Sequence, residues 1–271
     1  MTTTQSVPLC HLHNYARSPD PSNPGNRANV LMLHGHGQSM DIFYHKTHFL
    51  QDALNMGGSQ PSQSLPNLNV YYSEAPFEVN TGLGSKVWGY GLFDTQPVWG
   101  LEQSVGRVLR QLEQLNPVVG IIGFSTGATL AMIIASLLEK KDRCRLFGVN
   151  TTHPPLKFVV AYSGFMLGHP MYTELYEPAI RTPVLLYIGE LDPMIPPATS
   201  YRLAERCSHA EIRTFWGTHY VPRHGKTTMV AINFVRRCVN GEIQTENADE
   251  AQAEDGWIDA FVNGSDAAAY R

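Results

Sequence analysis

Cysteine is scarce in this chain. Its four cysteines among 271 residues, at positions 10, 144, 207 and 238, form no C-x-x-C pair. That excludes a disulfide framework or a zinc ribbon and predicts free thiols in a reducing compartment. Charge is sparse as well: 16% of residues are charged and the formal net charge is -4. With no basic surplus to meet phosphates, the composition argues against nucleic-acid binding. A long apolar run is also missing. The most apolar stretch, 121–138, is interrupted by Ser, Thr and Gly, so no membrane association is expected. The first residues lack a basic start followed by an apolar segment, so a cytoplasmic protein rather than a secreted one is expected.

What is present is an ordinary core-forming composition, 43% hydrophobic, in a chain long enough for one large domain. Residues 1–27 are read as an irregular leader, because Pro, Ser, Asn and Gly dominate 14–29. Short apolar runs at 30–33, 69–76, 118–122, 157–164, 183–190 and 210–217 read as buried strands. Helical spacing over 41–54, 101–115, 126–139, 199–207 and 226–241 falls between them. This alternation predicts an α/β fold with a mainly parallel sheet covered on both faces, spanning 28–241. Residues 59–69 read as a Ser/Pro/Gln-rich loop, and 77–100 as a long loop rich in glycine and aromatics. The segment 242–271 is acidic and poor in apolar residues, so it reads as a loosely ordered tail.

One pentapeptide carries chemistry. Gly123-Phe124-Ser125-Thr126-Gly127 joins the apolar run 118–122 to a helical run. A G-x-S-x-G turn between strand and helix holds a serine in a strained conformation with its hydroxyl exposed. The glycines remove side chains that would collide across the turn, and the helix N-terminus favours developing negative charge. The competing reading is that Ser125 merely caps the helix.

A nucleophilic serine needs a base, and the base needs a carboxylate, in the chain order Ser, Asp or Glu, His. After the run ending at 189 come Glu190 and Asp192; after the run ending at 216 come His219 and His224. Asp192 is preferred because it lies past the strand end, where Pro193 turns the chain. His219 is preferred because only Gly217 and Thr218 separate it from the strand. Oxyanion donors are expected from the backbone N–H groups of Thr126 and His36, the latter in the "LHGHGQS" loop, with Gly37 as the alternative. Trp88, Phe93 and Trp99 are candidates for an apolar acyl pocket or, equally, for core packing under the loop. The eleven histidines include close pairs, but none has the spacing of a metal site, and neither metal nor cofactor is expected.

The segments "VLMLHGHGQSMDIFYHKTHFLQDAL", "WGLEQSVGRVLRQLEQLNPVVGIIGFSTGA", "VAYSGF", "PVLLYIGELDPMIPP" and "THYVPRH" resemble, in order, the FSH serine hydrolases, a mostly fungal branch of the α/β-hydrolase fold. The resemblance covers roughly 28–240 and implies that Ser125, Asp192 and His219 align with the family triad. It implies a hydrolase of esters or thioesters. The chain is especially similar to family members from citrinin-type polyketide pathways, which release an acyl chain from a synthase carrier domain. Many members have Gln where this chain has Thr126. The contact expected there is through the backbone, so the role should survive. A general carboxylesterase, or a non-catalytic binding or accessory protein of the same fold, are the alternatives.

Overall fold

Residues 12–14, 28–56, 68–79, 84–93 and 95–243 are described by a computed structural model. The strands are β1 (Leu12–His13), β2 (Ala28–Leu33), β3 (Leu68–Ser73), β4 (Phe77–Glu78), β5 (Lys86–Val87), β6 (Val118–Phe124), β7 (Phe158–Tyr162), β8 (Val184–Gly189) and β9 (Ala210–Phe215). The helices are α1 (Met40–Met56), α2 (Leu101–Gln114), α3 (Thr126–Glu139), α4 (Pro197–Ala204) and α5 (Gly225–Val239). Seven strands form one sheet in the order β1-β3-β2-β6-β7-β8-β9. All neighbours run parallel except β1, which pairs antiparallel with β3.

The parallel strands read as apolar runs because they are buried on both faces. Successive residues feed opposite layers. Leu31, Ile121, Val159 and Leu186 pack under α2 and α3, while Met32, Ile122, Val160 and Leu185 pack against Phe43 of α1 and Phe234 of α5. Full burial of such a side chain contributes about 1.5–3 kcal/mol, so both layers are needed to hold the sheet. Every residue of α3 from Thr126 to Leu138 is buried. An all-round apolar helix is what a position between the sheet, α2 and the 170–175 segment demands. Among the described residues, no helix is long and apolar enough to cross a membrane.

From β2 the chain moves outward to β3, then crosses back to β6 on the other side of β2. The strand order therefore reverses between β2 and β6. In an open parallel sheet the carboxyl ends of two such strands diverge and leave a crevice. The loop after β2 and the turn after β6 both open into it.

Three expectations need correction or addition. The expected leader contains a strand: Leu12 and His13 pair with Ser73 and Tyr72 at the sheet edge. A two-residue strand is too short to leave a period in the sequence. The segment 77–100 is not featureless, since β4 and β5 pair antiparallel and Tyr90 bridges Trp99. Short 3-10 turns at Lys141–Phe147 and Pro170–Leu175 complete the layer around α3. The rest of the leader, the loop 57–67 and the tail from 244 onward lie outside the described residues. Cys144 and Cys238 are buried free thiols and Cys207 is a partly buried one.

Candidate active site

Ser125 stands between β6 and α3 with φ 54 and ψ -122, outside the regions a serine ordinarily adopts. The turn that enforces this needs both flanking glycines. A Cβ on Gly123 would lie 2.6 Å from the backbone of Ala128, and one on Gly127 would lie 2.3 Å from Leu33 O and 2.4 Å from His34 O. The elbow is thus wedged against the end of β2. Gly127→Ala should force these carbonyls apart and lower unfolding free energy by about 1–3 kcal/mol, the scale of overpacking, measurable by urea denaturation.

The Ser125 hydroxyl makes no capping hydrogen bond to α3. Its oxygen sits 3.0 Å from His219 Nε2, and His219 Nδ1 sits 2.7 Å from Asp192 Oδ2. A carboxylate only accepts, so Nδ1 carries the proton and Nε2 faces Ser125 as acceptor. Asp192 Oδ1 accepts from the backbone N–H groups of Met194 and Ile195, both at 2.9 Å. The Asp192 side chain is 1% exposed and held from three directions. The loops after β8 and β9 are tied together, because Glu190 N–H donates to Phe215 O and Leu191 N–H donates to Gly217 O. Phe124 packs on the His219 ring at 4.7 Å between centroids.

The two alternatives are used elsewhere. Glu190 is exposed, outside this arrangement. His224 caps α5, its Nδ1 accepting from the Lys226 N–H at 3.3 Å.

The loop after β2 is held from several sides. Trp88 Nε1 donates to His34 O at 2.7 Å, and the Gly35 N–H donates to Gln38 Oε1 at 3.1 Å. His34 Nδ1 donates to Gly35 O at 2.8 Å, while its Nε2 accepts from the Ala75 N–H at 3.1 Å. Glu74 Oε1 lies 3.4 Å from that same nitrogen but takes its hydrogen bond from the Met40 N–H at 2.9 Å. The Gly35 carbonyl and the His36 N–H belong to one planar peptide unit, so gripping the carbonyl aims the N–H. Among the described residues, neither the His36 N–H nor the Thr126 N–H has a hydrogen-bond acceptor. Gly37 is different: its N–H is taken by Lys86 O at 3.0 Å.

These groups meet in a cavity of about 880 Å³, lined by Ser125, His219, Thr126 and His36 together with mostly apolar side chains. Of the three aromatic residues considered for its wall, Phe93 lines it and the tryptophans do not. Trp88 is fully buried against the His34 ring, where its indole serves the loop. Trp99 is 64% exposed and packs on Phe77 and Tyr90 outside the cavity. Sequence reading missed other wall residues, among them Phe165, Met194, Ile195 and Tyr220. Met194 and Ile195 sit beside Asp192 in the chain and were the signal available. The His36 imidazole lies below its usual pKa, first through partial desolvation and second through nearby His34, so it adds no charge to the cavity at neutral pH. Among the described residues, no three His, Cys, Asp or Glu side chains converge as a metal site requires.

With this geometry in place, relatives are informative. The family model described as serine hydrolase (FSH1) matches residues 25–231. The chain is 30% identical to Family of serine hydrolases 3 of Saccharomyces cerevisiae, over 85% of this chain and 95% of that protein. It is 30% identical to Esterase CG5412 of Drosophila melanogaster, over 77% of this chain and 73% of that one. A 31% identical match to dihydrofolate reductase of Schizosaccharomyces pombe covers 52% of this chain but only 30% of that protein. Among solved structures, acyl-protein thioesterase 2 of Zea mays superposes with a TM-score of 0.56 at 18% identity, over 84% of this chain and 98% of that one. At that identity the likeness speaks for the α/β-hydrolase fold.

Proposed function

The chain belongs to the serine hydrolase (FSH1) family, and from that premise we propose that it cleaves an ester or thioester through an acyl-enzyme on Ser125. The observation that supports this reading is the continuous hydrogen-bonded line from Ser125 Oγ through His219 to Asp192. In the proposed reaction, Ser125 Oγ attacks the substrate carbonyl carbon while His219 Nε2 takes the hydroxyl proton. The carbonyl oxygen becomes an oxyanion and receives the N–H groups of Thr126 and His36, which have no other acceptor among the described residues. Asp192 keeps His219 in the tautomer with Nδ1 protonated and stabilises the imidazolium. Collapse of the tetrahedral intermediate breaks the bond to the alcohol or thiol, which leaves with the proton from His219. Water, deprotonated by His219, then releases the acid and restores Ser125.

The finer reading is that the acyl group is a polyketide chain delivered as a thioester by a synthase carrier domain in fungal secondary metabolism, in the cytoplasm. The resemblance to polyketide-pathway hydrolases supports it, as does an apolar cavity with room for a chain longer than acetyl. The catalytic unit would be 28–241. The test is time-resolved hydrolysis of polyketide-like thioesters beside short p-nitrophenyl esters. A burst of thiol followed by steady turnover, faster with thioesters, is expected. Turnover of short esters with none of the thioesters would make the protein a general carboxylesterase instead.

A further inference from the structure

The cavity over Ser125 has an uneven charge. Among the described residues that line it, three are cationic, Lys46, Arg202 and Arg223, and none is acidic. The chain as a whole has 24 acidic against 20 basic residues, so an all-basic lining runs against its average. Asp192 does not line the cavity: its carboxylate is 1% exposed behind His219 and accepts from three N–H groups. Some other basic side chains are paired: Lys86 with Glu78, Arg145 with Glu174, Arg206 with Glu177 and Arg237 with Glu211. Among the described residues, Lys46, Arg202 and Arg223 make no ion pair.

The three come from separate elements. Lys46 lies on α1, Arg202 on α4, and Arg223 in the loop before α5. Arg223 is fixed in place: Nε donates to Lys46 O at 3.2 Å, Nη2 donates to His45 O at 2.8 Å, and the guanidinium lies 5.7 Å from the Phe49 ring centre. This anchoring ties Arg223 to the α1 backbone at Lys46, and both residues, with Arg202 of α4, line the cavity and are exposed. Like charges that share one cavity repel, and an anionic ligand between them relieves that repulsion. A cleft of one sign with apolar walls concentrates ligands of the opposite sign.

We propose that the mouth of this cavity binds an anionic group of the substrate, a carboxylate or phosphate remote from the scissile carbonyl, with Lys46, Arg202 and Arg223 as its specificity determinants. This rests on the acyl-transfer reading of Ser125. The anion can come from either end of the substrate: a carboxylate on the acyl chain or a phosphate on the leaving thiol. Binding energy from this remote group aids the reaction by positioning the carbonyl over Ser125.

The experiment compares kcat/KM within two pairs, each a neutral substrate beside an anionic one with the same reacting bond. One pair is a neutral medium-chain p-nitrophenyl ester and its ω-carboxylate counterpart of equal length. The other is an N-acetylcysteamine thioester and the coenzyme A thioester of the same acyl group. At low ionic strength the anionic member of at least one pair should be preferred by about tenfold, the scale of two or three exposed ion pairs acting together. The pair that shows the preference identifies the source of the anion. Salt at about 0.5 M should bring wild type toward parity, because screening weakens exposed charges. The double variant Lys46→Gln, Arg202→Gln should do the same at low salt. Ser125-dependent turnover without charge preference in either pair, or a preference that survives both salt and the double variant, would overturn this inference alone. No turnover of any of the four substrates would overturn the acyl-transfer reading and this inference with it. The salt arm uses wild-type protein and so holds whatever the variant's folding.

Discussion

Ser125→Ala is expected to lower kcat for ester hydrolysis by on the order of 10⁴- to 10⁶-fold while leaving the protein folded. The first part follows from the proposed role of the hydroxyl as the attacking atom. The second follows from its surroundings. Ser125 Oγ makes its hydrogen bond to His219 and gives none to the helix beneath it, so its removal costs the fold little. Alanine also keeps the β-carbon around which the elbow is built. Steady-state hydrolysis read beside thermal unfolding separates the two effects. Covalent labelling by a fluorophosphonate should vanish together with turnover. A variant that unfolds like wild type yet retains activity within tenfold would place the nucleophile elsewhere.

Asp192→Asn should cost about 10⁴-fold in kcat with equally little structural change. Asparagine keeps an oxygen for the N–H groups of Met194 and Ile195, so the loop that presents it stays in place. Its amide NH₂ then faces His219 Nδ1, where Oδ2 accepts at 2.7 Å in the native protein. Two donors cannot share that contact, so Nδ1 gives up its proton and Nε2 carries one. A protonated Nε2 points a donor at Ser125 and can no longer take the hydroxyl proton. The loss should therefore appear in kcat, with KM for a neutral ester moving far less. A large rise in KM with kcat intact would mean that Asp192 serves substrate binding instead.

Much of the architecture was legible because parallel strands buried on both faces leave unmistakable apolar runs. The runs at 118–122 and 183–190 correspond to β6 and β8 within a residue or two. Ser125, Asp192 and His219 were nameable because each lies just past such a run, and strand ends gather on one edge of a parallel sheet. Trp88 and Trp99 show where the sequence stops speaking. Both sit in the same glycine-rich segment, yet one is fully buried beside His34 and the other is 64% exposed. Their fates depend on what lies across the fold, which no local period records. The basic rim was invisible for the same reason: Lys46, Arg202 and Arg223 are 156 and 21 residues apart in sequence (202 − 46 and 223 − 202) and meet only through α1, α4 and the loop before α5.

The position of β9 carries a consequence for how the enzyme fails. Among the described residues this strand closes the sheet at one edge, pairs only with β8, and is mostly half-exposed along its length. His219 follows it by four residues, whereas Ser125 follows β6 in the buried interior of the sheet. Edge elements with few buried contacts open at lower free energy than the core. Such a partial opening carries His219 away from Ser125, its partner in the proposed reaction, while the remainder of the sheet still stands. Under heat or denaturant the protein should therefore fall silent as a catalyst before it melts as a body, its working lifetime set by its outermost strand.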